Sequence, residues 1–286
     1  CLPIIKAKRP IWDTFPGAWY TIGIDAIMPN GRTLQVASCH HYRDQWAKAF
    51  DIKFEDESGN AQYVHQTTYG MSERLLGAIV GTHGDDNGLI LPPKISPLQV
   101  VIVPILTKDR SEEILDICEG IKQDLKNSGI RCRVDSRDIR PGQKYYDWEI
   151  KGVPLRLEVG PRDVDNGAVM CATRSGDKFP LDLEHIVSNV SKSLDTFQAL
   201  LLENSNSILK NAIEKISSLQ ELKNIDKISK YVYEIAFDGT DADAEEIEKI
   251  TGLTFLGDCI TPYHKEEVCV ISGNKTTRKV FLAKTY

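Results

Sequence analysis

The chain has 286 residues and a mass of 32.1 kDa, enough for about two or three domains that each bury a core. Its formal charge of -6 excludes the strongly basic character of a protein that wraps DNA, whereas a local basic patch leaves RNA binding open. The apolar runs are far shorter than the roughly 20 residues of a membrane span, so no membrane-spanning role is predicted.

The cysteines indicate a reducing compartment. There are seven, an odd number, and no two of them form a CxxC pair. Disulfide frameworks are instead typical of secreted chains with an even number of cysteines at regular spacings. The opening stretch, CLPIIKAKRP, lacks the apolar segment of a signal peptide. We therefore predict a cytoplasmic protein with free thiols, and a chain that begins inside a larger one.

From Tyr20 onwards, β-rich runs alternate with short polar turns. YTIGIDAIM and RTLQVAS flank Asn30 and Gly31, a pair that tolerates the positive φ of a hairpin turn. FDIKFED and AQYVHQTTYG follow, so the pattern predicts an antiparallel meander of four strands that ends at Gly70. MSERLLGAIVGTH is then typical of a helix, with Arg74 near its start.

The Pro-Pro pair at Pro92 and Pro93 predicts the first domain boundary. Beyond it, LQVVIVPI, IRCRVD, VPLRLEVG and AVMCATR are predicted strands, and SEEILDICEGIKQDLKNSG and SRDIRPGQKYYDWEIKG contain the helices between them, which predicts an α/β domain. A helical stretch from Leu181 to about Lys227 leads to a small last unit with the helix DADAEEIEKIT and the β-rich end KVFLAKTY. The predicted segments are residues 1–93, 94–200 and 201–286.

Arg74 is the first candidate site residue. An arginine one turn into a helix is usually a solvated surface residue. Here, however, Ser72 and Arg74 follow a strand-to-glycine turn, where a guanidinium can lie over the open face of a sheet. A guanidinium stacks on a purine ring and neutralises phosphate better than lysine does. Both interpretations stay open at this point.

Polar side chains also concentrate in LQVASCHH, residues 34–41. Strand alternation puts Gln35, Cys39 and His41 on one face and Ser38 and His40 on the other. A single polar residue in a strand is usually solvent-facing or a satisfied core group. Several hydrogen-bonding side chains near one strand end are also typical of a small-molecule site.

Residues 137–163 are dense in arginine, lysine and aromatic residues, although the whole chain is acidic. Such a segment is either a loop with solvated charges or a surface that recognises unstacked RNA bases. Cys259, His264 and Cys269 form a different kind of cluster. They lack the close pairing typical of zinc ligands, which favours structural or incidental cysteines.

Taken together, these segments resemble the prolyl-tRNA synthetases of the archaeal and eukaryotic type, a family of class II aminoacyl-tRNA synthetases. The resemblance covers nearly the whole chain. It is carried by FPGAWYT, MPNGRTLQ, YVHQTTYG with SERLLGAIVGTHGDDNGLILPP, DSRDIRPGQKYYDWEIKGVPLRLEVGPRD and the terminal AKTY. It implies an α+β protein with part of the antiparallel class II catalytic sheet, then an α/β anticodon-binding domain and a small α+β C-terminal domain.

The resemblance also implies roles for individual residues. ATP would be bound by Gln35, Ser38, Ser72 and Arg74. Arg74 would stack on adenine, and Gln35 would also touch the magnesium ion of ATP. The proline pocket would include His40, Thr68 and Gly70. The anticodon would be read by Arg140, Lys144, Glu149 and Lys151. No protein nucleophile is implied, because this chemistry needs positioning and charge neutralisation, with Arg74 as main contributor.

The implied reaction is the ATP-dependent attachment of L-proline to tRNA(Pro) through prolyl-adenylate, in the homodimer of the full synthetase. Class II motifs 1 and 2 would precede Cys1. Activity is therefore expected only when these motifs complete the catalytic domain, in the same chain or in a separate amino-terminal portion. Two alternatives stay open: a non-catalytic tRNA-binding or regulatory fragment, and a paralogue that accepts another small molecule.

The chain departs from the family pattern at three places. Arg43, Asp44 and Gln45 stand where the family usually has Gly-Gln-Asn, and Trp19 stands where an acidic residue is usual. These changes are expected to alter the amino-acid pocket or its loop. The third departure concerns zinc, which many relatives hold through four cysteines near the C terminus. FDGTDADAEEI offers none, so zinc is not expected.

Overall fold

The structure, a computed structural model, describes residues 1–225, 230–261 and 265–286. Its strands are β1 (Ile4–Lys8), β2 (Tyr20–Ile27), β3 (Thr33–Arg43), β4 (Lys53–Glu55), β5 (Ala61–Tyr63), β6 (Gln66–Met71), β7 (Val100–Pro104), β8 (Cys132–Val134), β9 (Leu155–Val159), β10 (Ala168–Thr173), β11 (Lys178–Asp182), β12 (Ile213–Ile216), β13 (Val232–Ala236), β14 (Thr254–Cys259), β15 (Glu267–Val268), β16 (Lys275–Thr276) and β17 (Lys279–Ala283). Its α-helices are α1 (Gln45–Ala49), α2 (Arg74–His83), α3 (Ser111–Asn127), α4 (Pro141–Ile150), α5 (Pro161–Asp165), α6 (Ile186–Ala212), α7 (Leu219–Lys223) and α8 (Asp241–Thr251).

Packing divides the chain into two units. Residues 2–78 and 206–286 form one, which we call the large-sheet unit, and Cys1 with residues 79–205 forms the other, which we call the α/β unit. The large-sheet unit joins both ends of the chain because strands from both ends share one sheet. These units do not coincide with the three segments predicted from sequence.

The main sheet of the large-sheet unit has the strand order β12-β13-β17-β14-β1-β2-β3-β6 in the described residues. β1 lies at its middle and pairs antiparallel with β2 on one side and β14 on the other. One side of the sheet packs a core that includes Ile235, Ile247, Phe255, Val280 and Leu282. α8 supplies Ile247 to this core; it begins at a capping box between Thr240 and Asp243 and spans the predicted helix.

The predicted hairpin of β2 and β3 is confirmed, with Gly31 at a φ of 83° in its turn. The predicted four-strand meander is wrong in its second half. β4 pairs only with β5 in a small separate sheet, whereas β6 pairs with β3. Every residue of β4 is exposed, so this strand has no apolar face with which to join the buried sheet.

The α/β unit contains a sheet of order β11-β10-β9-β7-β8. β7 runs parallel to β8 and β9, while β9, β10 and β11 are antiparallel. The first four residues of β7, Val100 to Val103, are completely buried, as expected for a strand covered on both faces. The alternation of strands and helices predicted for this part of the chain is confirmed.

The helical stretch predicted from Leu181 to about Lys227 is helical only in part, in α6 and α7. Leu181 belongs to β11, the helix α6 ends at Ala212, and the next residues form β12 parallel to β13. Lys227 lies outside the described residues. Ile213 and Ile216 are β-branched, and pairing with β13 overrides the helical pattern at this point. In the described ranges, no helix has both the length and the apolar character needed to cross a bilayer.

Candidate functional site

A cavity of about 790 Å³ opens in the large-sheet unit. Its lining includes Arg9, Asp25, Gln35, Arg74, Glu248 and Thr254. Arg9 directly follows β1, and the other residues belong to β2, β3, α2, α8 and β14. Sheet pairing therefore gathers distant parts of the chain around one cavity. The lining combines donors, acceptors and charges, which is the composition of a polar-ligand site.

A buried ion pair lies beside this cavity. Nη2 of Arg9 donates to both carboxylate oxygens of Asp25, at 2.8 and 2.9 Å, and Nη1 donates to the carbonyl of Leu256 at 2.9 Å. Both side chains of the pair are 3 to 4% exposed. Burial raises the pKa of the Asp25 carboxyl, and the charge of Arg9 opposes that rise. Within the pair, the charges of Arg9 and Asp25 cancel each other.

Gln35 and Arg74 line the same cavity and are both exposed. The Gln35 amide oxygen accepts from Nη2 of Arg9 across 3.4 Å. Arg74 is the first residue of α2, and within the described ranges it has no hydrogen-bond or ion-pair partner. An exposed guanidinium without a protein partner keeps all five donors for a ligand.

The other candidates on the sheet lie on neighbouring strands. In the antiparallel register of β3 and β6, Ser38 faces Gly70 and His40 faces Thr68. A Cβ added at Gly70 would lie 4.0 Å from the Ser38 hydroxyl, so glycine leaves space above that group. The Ser72 amide donates to the carbonyl of Val36 on β3 at 3.4 Å, outside the cavity lining.

His40 is held at both ring nitrogens. Nδ1 lies 2.9 Å from the Thr21 hydroxyl, and Nε2 lies 3.0 Å from the Ser38 hydroxyl. The ring of Phe15 packs against it with centroids 4.8 Å apart. Burial lowers the pKa of His40 below its ordinary value, so the imidazole is neutral at neutral pH. Its two hydroxyl partners allow one nitrogen to donate and the other to accept.

Two departures from the family pattern meet in space. The guanidinium of Arg43 lies over the Trp19 ring, 3.5 Å from its centroid. Arg43 adopts a φ of 51°, the left-handed region that favours glycine. A cation–π contact of this kind contributes about 0.5–1 kcal/mol at an exposed site, which offsets part of the backbone strain.

In the α/β unit, the predicted basic segment is organised around the buried Asp135. Its carboxylate accepts from Nε and Nη2 of Arg137 and from Nε1 of Trp148, all within 2.8 Å. Hydrogen bonds from Arg137 hold the pKa of Asp135 well below its usual range. Nζ of Lys144 donates to the Asp135 backbone carbonyl at 3.0 Å, and Lys144 is 2% exposed. Lys144 therefore supports α4 from inside and does not present its ammonium at the surface.

The remaining three residues of that prediction are accessible. Arg140 is exposed at the start of α4, and Lys151 is exposed just after its end, with Nζ 4.6 Å from the Trp148 ring centroid. Glu149 is half-buried and lies 3.5 Å from Nη1 of Arg156. They lie on or beside one short helix of ten residues, and so share one region of this unit.

Of the three possible zinc ligands, His264 lies outside the described residues. Burial raises the pKa of the Cys259 thiol to about 12. Cys269 is 2% exposed, and its sulfur accepts backbone N–H groups from Asp238, Ile271 and Ser272. In the described part of the chain, no three His, Cys, Asp or Glu residues gather in a metal-binding group. All seven cysteines are free.

Sequence reasoning missed Arg9, Asp25, Thr21 and Phe15. Asp25 carried a signal, because it is a lone acidic residue in the apolar run YTIGIDAIM, and a buried charge needs a partner. Arg9 carried none, since KAKRP reads as an ordinary basic segment.

Comparison with protein families defines the class. Residues 3–83 match the family described as "tRNA synthetase class II core domain (G, H, P, S and T)", and residues 99–193 match "Anticodon binding domain". With the large antiparallel sheet, these matches identify a class II aminoacyl-tRNA synthetase chain that carries a core-domain segment and an anticodon-binding domain.

Individual relatives narrow the class further. The whole chain aligns with proline–tRNA ligase of Thermococcus kodakarensis at 42% identity, covering 60% of that protein. It aligns over its whole length with the Methanosarcina mazei proline–tRNA ligase at 44% identity, covering 59% of it. The structure of Giardia lamblia prolyl-tRNA synthetase in complex with prolyl-adenylate matches with a TM-score of 0.90 and 29% identity, over 100% of this chain and 62% of that one. The chain is a homologue of the proline–tRNA ligases and spans about 60% of their length.

Proposed function

We propose that the chain supplies the ATP-binding, proline-binding and anticodon-binding parts of an enzyme that attaches L-proline to tRNA(Pro). The proline carboxylate attacks the α-phosphate of ATP, giving prolyl-adenylate and pyrophosphate. A ribose hydroxyl at the end of the tRNA then takes the prolyl group and releases AMP. The observation that carries the proposal is the exposed Arg74, which has no partner among the described residues and shares one cavity with Gln35.

ATP binding is assigned to Arg74, Gln35, Ser38 and Ser72. Arg74 stacks on adenine, and Gln35 and the two hydroxyls contact the rest of the nucleotide. Support comes from the cavity volume of about 790 Å³ and from the free donors of Arg74. Positioning and charge neutralisation are what adenylate formation requires from a protein, because ATP already carries the leaving group.

Proline binding is assigned to the surface formed by His40, Thr68 and Gly70. A neutral imidazole adds no repulsion to the ammonium group of proline, which the lowered pKa of His40 supports. The Phe15 ring beside His40 adds an apolar wall that suits a pyrrolidine ring. Trp19 precedes β2 and Arg43 ends β3, the strand that carries His40, so both residues are assigned an effect on selectivity.

Magnesium accompanies ATP in this proposal, but the described residues do not form a metal cage. Both oxygens of Asp25 accept from Arg9, and the Gln35 amide oxygen is also engaged by Arg9. Magnesium requires oxygen ligands in near-octahedral geometry and is often held mainly by substrate phosphates. We therefore derive no step of the reaction from a protein-held ion.

Recognition of tRNA(Pro) is assigned to Arg140, Glu149 and Lys151, with Lys144 as their internal support. Arginine and lysine donate to base edges and phosphates, and glutamate accepts from base amino groups. The protein acts in the cytoplasm, a reducing compartment that suits its free cysteines, and as part of the homodimer of the full synthetase.

The catalytic domain is completed by motifs 1 and 2, in the same chain or in a separate amino-terminal portion. β6 ends the strand order of the described sheet, and Tyr69 and Met71 on it are each 77% exposed. A strand with open backbone groups and exposed apolar side chains is suited to pair with a further strand.

The test is proline-dependent exchange of pyrophosphate into ATP, measured for this chain alone and with a co-expressed portion carrying motifs 1 and 2. Exchange is expected in the completed protein. Absence of exchange in both samples, with retained binding of tRNA(Pro), would favour a non-catalytic tRNA-binding fragment. Exchange with another amino acid in place of proline would favour a paralogue of altered selectivity.

Arg74→Ala separates the nucleotide site from the tRNA site. It is expected to abolish exchange and to leave tRNA binding intact, because the lost group is an exposed donor in the cavity. Arg162→Ala, an exposed arginine on α5, is the matched control and should leave exchange unchanged. An unaffected exchange rate in Arg74→Ala would make that residue an ordinary surface arginine.

Lys151→Ala and Glu149→Ala test the anticodon assignment. Each is expected to weaken aminoacylation of tRNA(Pro) while sparing pyrophosphate exchange, since neither residue lies in the cavity lining. Lys144→Met is the control for fold effects: it should lower the stability of the α/β unit because it removes a buried hydrogen bond. Equal loss of both activities in the Lys151 and Glu149 variants would contradict the assignment.

A further inference from the structure

Arg9 is an unusual residue to find beneath a polar cavity. Arginine is almost never fully buried unless it is paired, and this side chain is 4% exposed. The glycine at position 23 leaves room for this side chain, because a Cβ added there would lie 2.2 Å from the Arg9 guanidinium carbon. A side chain at that position of β2 would therefore displace the guanidinium from its present place.

The guanidinium contacts four different parts of the chain. Besides Asp25 and the carbonyl of Leu256, it contacts Gln35 through Nη2, and its Nε lies 3.3 Å from a carboxylate oxygen of Asp13. The contact between Arg9 and Asp13 is an ion pair without a hydrogen bond, so the Nε–H group of Arg9 has no acceptor among the described residues. One buried cation just after β1 thus links the strands β2, β3 and β14.

The contact with Gln35 fixes which end of its amide reaches the cavity. A guanidinium has donors only, so the amide must offer its oxygen to Arg9. The amide nitrogen, with two donors, is then the group left for a ligand. Asp25 faces Gln35 directly in the register of β2 and β3, beside a β-bulge between Ile24 and Asp25. The bulge and the ion pair together hold this site in one arrangement.

From this geometry we infer that Arg9 is a positioning residue that, paired with Asp25, orients the Gln35 amide so that its NH₂ group donates to oxygen atoms of ATP. The inference rests on the proposed ATP-binding function and deepens it. It assigns the Gln35 NH₂ group a direct contact with an anionic ligand, while the amide oxygen accepts from Arg9 with one of its two lone pairs.

Removing Arg9 alone would leave Asp25 buried without a partner, which is strongly destabilising. The main variant is therefore the double substitution Arg9→Met with Asp25→Asn, which removes both charges. Arg9→Lys is the conservative variant, because an ammonium can still pair with Asp25 and donate towards Gln35. Thermal unfolding of each variant identifies those that fold.

The first measurement needs no activity. The order of the Gln35 side-chain amide is followed by ¹⁵N relaxation in the ligand-free chain, with its signal assigned from a Gln35→Glu spectrum. We expect an ordered amide in the natural protein, a mobile one in the double variant and recovery in Arg9→Lys. The amide of Gln123, which bonds Asn127 in the α/β unit, is the internal control and should not change.

The second measurement is the KM for ATP in pyrophosphate exchange by the completed protein. The double variant should raise this KM about tenfold with a smaller change in kcat, the size expected for one misplaced hydrogen bond to a charged ligand. In a Gln35→Ala background the same substitutions should change KM less than about twofold, because Arg9 acts through Gln35.

The two measurements separate the inference from the function on which it rests. An amide as ordered in the double variant as in the natural protein would overturn the positioning role, and so would an equal KM change with and without Gln35. Absence of exchange in the natural, completed protein would overturn the proposed function instead, while the relaxation result would still decide whether Arg9 orders Gln35.

Discussion

Each unit buries an aspartate beside an arginine, but the two ion pairs are built differently. Asp135 in the α/β unit is surrounded by partners from residues 135–148, and its arginine, Arg137, reaches the surface with 46% of its side chain exposed. Asp25 in the large-sheet unit pairs with Arg9, which is 4% exposed and also contacts Leu256, far along the chain.

This difference distinguishes a structural hydrogen-bond network, around Asp135, from a candidate ligand-binding site, around Arg9. Around Asp135 the donors and acceptors use one another, and the result ties α4 to the strand before it. Around Arg9 the network ends at an exposed amide, that of Gln35, in a cavity that also holds the unpartnered Arg74. A hydrogen-bond network that ends at an exposed group still has donors or acceptors that a ligand can use.

The largest expected effect is on the structural network. Asp135→Ala should lower the free energy of unfolding by about 3–5 kcal/mol, because it removes the charge-assisted hydrogen bonds from Arg137 and leaves the buried Trp148 N–H without an acceptor. Urea unfolding followed by tryptophan fluorescence measures this. Asp147→Ala removes only the more exposed partner of Arg137 and should cost less than about 1 kcal/mol. Equal costs would erase the distinction between the two regions.

Gly23→Ala probes the packing of the other ion pair. The new Cβ would lie 2.2 Å from the Arg9 guanidinium, so a loss of about 1–3 kcal/mol in the free energy of unfolding is expected. Gly77→Ala on α2 is the matched control: no atom lies within 4 Å of its added Cβ, and stability should rise by up to about 1 kcal/mol. A tolerated Gly23→Ala would mean that Arg9 is free to move.

The two aspartates should respond to acid in opposite directions. The pKa of Asp135 is lowered by Arg137, so its stabilisation is present above the ordinary carboxyl pKa and is lost as pH falls towards the folded value. The pKa of Asp25 is raised by burial, so its contribution is full below the ordinary pKa and is lost as pH rises through the folded value.

Unfolding of Asp135→Asn and Asp25→Asn between pH 3 and pH 7 therefore sharpens the comparison. The stability difference between natural protein and variant should shrink on acidification for Asp135→Asn and grow for Asp25→Asn. Parallel pH profiles would show that the two carboxyl groups have similar surroundings in solution.

The smallest effect is expected at the exposed contact of Arg43 with Trp19. Arg43→Gly relieves a backbone φ of 51° but removes the cation–π contact, so the two terms nearly cancel, within about 1 kcal/mol. A double-mutant cycle with Trp19→Ala should give a coupling of about 0.5–1 kcal/mol. A coupling near zero would mean that the two substitutions are independent departures from the family pattern.

The sequence by itself determined the local elements and the family. The Asn30-Gly31 hairpin, the helix α8 and the alternation of strands and helices after Pro93 follow from turn chemistry, capping and periodicity, which act over a few residues. The motifs around Arg74 pointed to the class II synthetases for the same reason, since they are contiguous in the chain.

Only the tertiary structure decided which residues share a site. β6 pairs with β3 and not with β4, and part of the predicted helical stretch forms β12 beside β13, because each of these strands has its partner well away in the sequence. The same long-range pairing brought Arg9 beneath Gln35, whereas Lys144, predicted as an anticodon contact, is buried and donates to the carbonyl of Asp135 nearby in the chain. Local patterns cannot specify such contacts, because side chains separated by many residues meet only after the sheet has set their register.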